Sequence, residues 1–213
     1  MLGIKPGQEN MAKLKENGIT VVLIDEVMEG CNSLKCDNEK GAFMAAEYLI
    51  NEGRKKIAYL GMSNAGGEIW PSIIEREQGY KRALSARSIP LNERLMVTVD
   101  NNYINEGLAV MQTMLKSNRD IDAIFCCAGD NTAIGVVSAI KEAGLRVPQD
   151  IAVVGYDDIP VASAFTPSLT TVRQPVEKMG NEAFVMALEA MQGRLKEQKN
   201  LVFQPEFIKR ESA

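Results

Sequence analysis

The stretch IAVVGYDDIPVASAFTPSLTTVRQP, residues 151–175, opens on an apolar run that ends at two adjacent carboxylates, Asp157 and Asp158. A proline-bracketed connection follows, then a second extended segment that stops at Pro175. Residues 151–155 form a short, continuously apolar run of the kind found in parallel strands buried on both faces.

Upstream, the same grammar recurs. Residues 57–61 (IAYLG), 94–99 and 123–127 each read as a strand, and helical patterns over 73–88, 104–116 and 131–143 follow them. In the last of these helices Ala133, Val136, Val137 and Ile140 share one face, and Gly144 stops it. Four such units in series imply an α/β fold, a parallel sheet flanked by helices with right-handed connections. Sheets of that kind bind ligands at the carboxyl ends of their strands. The candidates are therefore Ser63, Trp70 and Ser72 after the first strand, Asn101 and Asn102 after the second, Asp130 after the third, and Asp157 and Asp158 after the fourth.

Nearer the start, residues 9–17 read as a helix stopped by Gly18, 19–26 as a buried strand and 33–37 as an extended piece. Asn38 is placed to cap a helix whose Ala42, Ala45, Ala46, Leu49 and Ile50 line one face, with Gly53 at its end. Beyond Pro175, residues 176–192 read as a helix with Met179, Ala183, Met186 and Ala190 facing inward. Residues 201–210 read as one extended edge segment interrupted at Pro205. The scattered methionines read as core filling.

Composition removes whole classes of chemistry. The 213 residues contain no histidine, so a Ser-His-Asp or Cys-His pair and a zinc site with histidine ligands are excluded. Cys31, Cys36, Cys126 and Cys127 lack CxxC spacing and read as reduced, partly buried thiols. The formal net charge is −4, with basic residues spread along the chain, so these residues alone are not expected to bind nucleic acid. No apolar run is long enough to cross a bilayer, and the opening MLGIKPGQEN lacks a secretory pattern, so a cytoplasmic location is expected. GMSNAGGE at 61–68 begins like a phosphate-binding loop but has Gly67 where the lysine belongs. No cofactor is expected, and no metal.

Several motifs carry a family resemblance: CDN (36–38), NEGRKKIAYLG (51–61), EREQGYKRAL (75–84), GLRVPQDIAVVGYDD (144–158), FTPSLTTVRQP (165–175) and FIKRES (207–212). In this order they resemble the Lac repressor and galactose repressor family of transcriptional regulators. The resemblance implies a periplasmic-binding-protein-like effector module, with two lobes of parallel sheet flanked by helices around a ligand cleft. Residues 1–37 and 176–199 would form a partial N-terminal lobe, and 38–175 with 200–213 the C-terminal lobe. Neither the family's helix-turn-helix head and hinge helix nor the first two βα units are read here, so a form truncated at its N-terminus is expected.

Site residues follow from the same resemblance. Arg76 would grip ligand hydroxyls or a carboxylate through paired hydrogen bonds, the plain alternative being a surface arginine. Asp157 would accept from two neighbouring sugar hydroxyls, or else stabilise a turn; Asp158 reads as the turn residue. Asn102 stands where many relatives carry a stacking aromatic, and Trp70 offers another stacking face or simple packing. Ser72 matches a small hydroxyl of the pocket wall. Asp130 begins a helix and either caps it or meets ligand. The implied function is effector sensing rather than catalysis: a sugar or related small molecule favours the closed arrangement. The expected partners are that effector and a second copy of the chain, with DNA reached only through the absent head and no membrane. The runner-up is a periplasmic-type sugar-binding protein.

Overall fold

The computed structural model describes residues 7–63, 67, 69–117, 120–195 and 197–213. The chain divides into two compact units, Met1–Asp37 with Pro175–Gln204, and Asn38–Gln174 with Pro205–Ala213.

In the first unit, α1 (Gln8–Glu16) is followed by Gly18 at φ +68°, a left-handed turn that lacks steric cost without a Cβ. Strands β1 (Val22–Ile24), β2 (Asn32–Cys36) and β8 (Asn200–Phe203) form a parallel sheet in the order β1-β2-β8. The strand expected over 19–26 is only three residues long. Asp25 swings to φ +59° and its carboxylate accepts from the Cys36 N–H at 3.4 Å, which ends the extended run. Helix α7 (Val176–Met191) turns Met179, Ala183 and Met186 inward, and Ala183 and Met186 pack with Leu34 of β2. Its outer side leaves Phe184 69% and Met191 73% exposed, so the methionines are not uniformly core filling.

The second unit is built on β3 (Ile57–Met62), β4 (Met96–Val99), β5 (Ala123–Cys126) and β6 (Ala152–Val154). They run parallel in the order β4-β3-β5-β6. Every residue of β3, β5 and β6 is buried, which is why these strands read as unbroken apolar runs rather than alternating ones. Helices α2 (Asn38–Asn51), α3 (Pro71–Ala86), α4 (Ile104–Lys116) and α5 (Asp130–Glu142) supply the connections. The strand expected over 94–99 begins only at Met96 because Glu93–Leu95 forms a 3-10 turn, with the Asn92 side chain accepting from the Arg94 N–H at 3.1 Å.

Two further elements lie inside the opening stretch. The proline-bracketed connection contains a short helix, α6 (Pro160–Ala164), which the sequence reading did not contain. The second extended piece is β7 (Thr171–Arg173), antiparallel to β9 (Glu206–Ile208). The single segment expected over 201–210 is therefore two strands in two different sheets. Pro205 separates them, having no N–H to continue a ladder.

Helices α4 and α5 approach through reciprocal glycines. A Cβ at Gly107 would lie 2.0 Å from the Thr132 carbonyl oxygen, and one at Gly135 would lie 1.9 Å from that of Ile104. Backbone cannot yield as a side chain does, so a methyl group here forces the helices apart. Gly135→Ala is expected to destabilise the protein by about 3 kcal/mol, the upper range for overpacking. Gly180, on α7 with nothing within 4 Å of a built Cβ, is the control. Gly180→Ala is expected to stabilise by about 0.5–1 kcal/mol. Urea midpoints read both changes.

Candidate functional site

Arg76 meets the residues that follow β5 and β6, Cys127 and Tyr156. It occupies the inward stripe of α3, with Ile73, Gly79, Tyr80, Ala83 and Leu84. The helix sits close to α2 because position 79 is glycine, where a Cβ would meet the Glu39 carbonyl oxygen at 2.1 Å. That packing makes Arg76 a buried residue, 6% exposed, and not a surface arginine. Its Nε donates to Asn38 Oδ1 at 2.9 Å and a terminal nitrogen donates to the Cys127 carbonyl at 2.8 Å. The guanidinium carbon lies 3.7 Å from the centroid of the Tyr156 ring, a cation–π contact in a desolvated setting. Asn38 does open α2, as read from the sequence, but its side chain is buried and also accepts from the Tyr156 hydroxyl at 3.4 Å.

Past β6, the GYDD turn is unusual. Asp157 has φ +108° and Asp158 φ +53°, conformations that cost a residue with a Cβ about 1–3 kcal/mol and cluster at functional sites. Several contacts hold them there. The Asp157 N–H donates to the Val172 carbonyl at 2.8 Å, and the Asp157 carboxylate accepts from Gln174 Nε2 at 2.7 Å. Asp158 accepts from Arg173 Nε at 2.7 Å and from Arg210 at 2.6 Å. Burial raises the Asp158 pKa, but the hydrogen bonds and charges of Arg210 and Arg173 outweigh it and hold the carboxyl below the ordinary range. Asp158 is thus the turn residue, fastened by two arginines.

Asp130 neither caps its own helix nor stands open. Gly129 occupies the cap position of α5, and the Asp130 carboxylate is fully buried. One oxygen accepts from the Thr171 hydroxyl at 2.6 Å and the other from the Ile159 N–H at 2.9 Å, tying α5 to β7 and to the start of α6. Burial pushes its pKa up to about 7, aided by the charges of Asp157 and Asp158, against the two hydrogen bonds.

Asn102 is engaged at the start of α5. Its Oδ1 accepts from the Thr132 N–H at 3.0 Å and from the Thr132 hydroxyl at 2.9 Å, so it caps that helix from a neighbouring loop. Asn101 is bonded to Glu106 through both its backbone N–H and its side-chain amide, each at 2.9 Å. Trp70, at the N-cap of α3, is half-buried against the core, and Ser72 is half-buried in the first turn. Of the loop that joins β3 to α3, positions 64–66 and 68 lie outside the described residues.

Tyr156, Gln174 and Arg210, which the sequence did not single out, and Asn38, which it marked only as a cap, are further participants. The motifs CDN, GYDD, TTVRQP and FIKRES contained all four, but nothing local indicated which of their members meet. The Cys127 thiol donates to the Tyr59 hydroxyl at 2.7 Å, and burial pushes it up to about 12; burial likewise drives Tyr59 above the ordinary tyrosine range. Both stay protonated at neutral pH. The set combines a fixed cation, carboxylates and aromatic faces, which suits recognition of a polar molecule. No group of three or more cysteine, aspartate or glutamate residues that could hold a metal occurs among the described residues. No described helix is long and apolar enough to cross a membrane.

Residues 46–213 match the model of a periplasmic binding protein-like domain. The chain belongs to that family. It is 34% identical over 174 residues to the HTH-type transcriptional repressor PurR of Vibrio atlanticus, an alignment that takes in 82% of this chain and 50% of the relative. The chain thus spans about half the length of the curated relatives it matches. Among solved structures, the transcriptional regulator CelR in complex with cellobiose superposes with a TM-score of 0.86 at 30% identity, over 99% of this chain and 64% of that one. The transcription regulator CcpA of Lactococcus lactis gives 0.84 at 27% identity, over 97% and 74%. These relatives are transcriptional regulators, and the family carries the α/β fold of parallel sheets described above. The alignments with these regulators overlap the part of the chain that carries the periplasmic binding protein-like domain.

Proposed function

We propose that the chain senses a small sugar or related polyol for a Lac-type bacterial transcriptional regulator, with Arg76 and Asp157 as the polar contacts. The observation that carries this reading is the stacking of Arg76 on Tyr156, the residue next to Asp157, at 3.7 Å. It sets the cation against the residue that precedes Asp157 in the GYDD turn, after the last strand of the second unit's sheet, where sheets of this type receive ligands. A carboxylate takes paired hydroxyl donors, and a guanidinium gives paired donors in return. Trp70 and Ser72 would add the wall. Asn102 and Asp130, each bonded within the protein, would support the site from behind.

The same reading has the regulator acting in the cytoplasm as a homodimer, with DNA contacted by a helix-turn-helix head, an element not read in this sequence. Sedimentation of the chain as a dimer supports the pairing; a monomer at high concentration counts against it.

Isothermal titration against neutral sugars, cellobiose and ribose included, and against purine nucleobases tests the ligand class. Saturable sugar binding is expected, weakened about tenfold to a hundredfold in Asp157→Ala, the scale of one hydrogen bond to a charged group. Nucleobase binding with no sugar bound overturns the ligand class. Sugar binding unchanged in Asp157→Ala overturns the site.

A further inference from the structure

We infer that the Gln174 side chain is a built-in competitor for the effector at Asp157, so that an effector hydroxyl must displace it to bind. The inference rests on the reading of Asp157 as the ligand acceptor.

Four observations converge on it. Gln174 Nε2 donates to the Asp157 carboxylate at 2.7 Å, the same type of donor–acceptor pair that a ligand hydroxyl or amide would make. Both residues are half-buried, so the pair can exchange with solvent and ligand, unlike the fully buried Asp130–Thr171 pair beside it. The bond is also not what holds the turn. The backbone at Asp157 is held by Val172, and Asp158 is held by Arg173 and Arg210, so the turn keeps its shape when Gln174 lets go.

The fourth observation concerns what displacement would release. The β7–β9 ladder ends at the Arg173–Glu206 pair, so Gln174 lies one residue past it, and its link to Asp157 is its one side-chain bond among the described residues. Gln174 is the last residue of the second compact unit before the chain passes through Pro175 into α7. The described bond uses one N–H of the Gln174 carboxamide, and a polyol hydroxyl supplies the same kind of donor to the same carboxylate oxygen. Binding at Asp157 therefore loosens the connecting segment at its root. That is a differential interaction of the kind a ligand needs in order to shift a conformational equilibrium.

The test uses the whole chain with its glutamine side-chain amides followed by NMR. In the ligand-free protein, the Gln174 amide is expected to exchange with water at least tenfold more slowly than that of exposed Gln192, and Asp157→Ala should abolish the difference. Equal rates overturn the inference without reference to any ligand. With cellobiose as probe, Gln174→Ala is expected to tighten binding about threefold to tenfold, since the competitor is gone. Saturation of the wild type should move the Gln174 amide signal to its solvent-exposed position. A residue that only supports the pocket would instead weaken binding when truncated, and that result, or an unmoved signal at saturation, overturns the competition. If neither cellobiose nor ribose binds, the sugar reading fails and the exchange comparison alone decides the Gln174–Asp157 pair.

Discussion

An Asp130→Asn variant is expected to be more stable than the parent above pH 7 and equal to it near pH 4. The Asp130 carboxyl is buried and its pKa stands at about 7, whereas in the unfolded chain it titrates near its ordinary value of 3.8. Between those values the folded protein binds a proton that the unfolded chain has lost. Stability is therefore fully present below about pH 4, falls as the pH rises, and levels off above about 7. Three pH units correspond to on the order of 4 kcal/mol. The charged groups that face Asp130 are Asp157 and Asp158, both of which raise its pKa, and the Cys126 thiol lies close by. Asparagine keeps the geometry, because its oxygen accepts from the Ile159 N–H and its amide donates to Thr171 in place of the hydroxyl's own donation. Denaturant midpoints at pH 4, 5.5 and 7.5 measure the effect. Parallel pH profiles for the two proteins would remove Asp130 as the cause.

Arg76→Met is expected to cost about 3 kcal/mol of stability and to remove effector binding altogether. Methionine matches the length of the stem but takes the guanidinium donor from the buried Cys127 carbonyl and from Asn38, and the loss of a hydrogen bond to a charged group at a buried site costs about 1–3 kcal/mol. The stacking on Tyr156 goes with it. Lysine should not rescue either property. An ammonium is a point charge that cannot send planar donors in two directions while lying flat on a ring. Chemical denaturation gives the first quantity and sugar titration the second. Full stability in Arg76→Met would mean that the arginine is held by the site and does not hold it.

The two residues show why the fold was more legible than the site. Ile57–Met62, Ala123–Cys126 and Ala152–Val154 announce themselves because a strand buried on both faces needs apolar side chains at every position. Glycine stops at 18, 53, 144 and 193 mark helix ends because each adopts a positive φ. Short helices and turns are harder. Pro160–Ala164 is too short for a periodicity, and Asp25 gave no local sign that it would end β1 after three residues. The segment 201–210 is uniformly extended in pattern, and only its two different partners, β2 and β7, divide it.

What the amino-acid order determined by itself is the alternation of strand and helix, the exclusion of histidine chemistry, and the motifs that mark the family. All of these depend on residue type and on neighbours within a few positions. Only the tertiary structure decided what the polar side chains do. Arg76 bonds to residues 38 and 51 positions away, Asp130 to residues 29 and 41 away, and Asn102 to one 30 away. No local pattern holds such information, because a buried polar group takes its partner from whatever the packing of distant elements brings within 3 Å. So Asn102 became a helix cap, Asp130 a buried tie, and Asp157 the partner of Gln174.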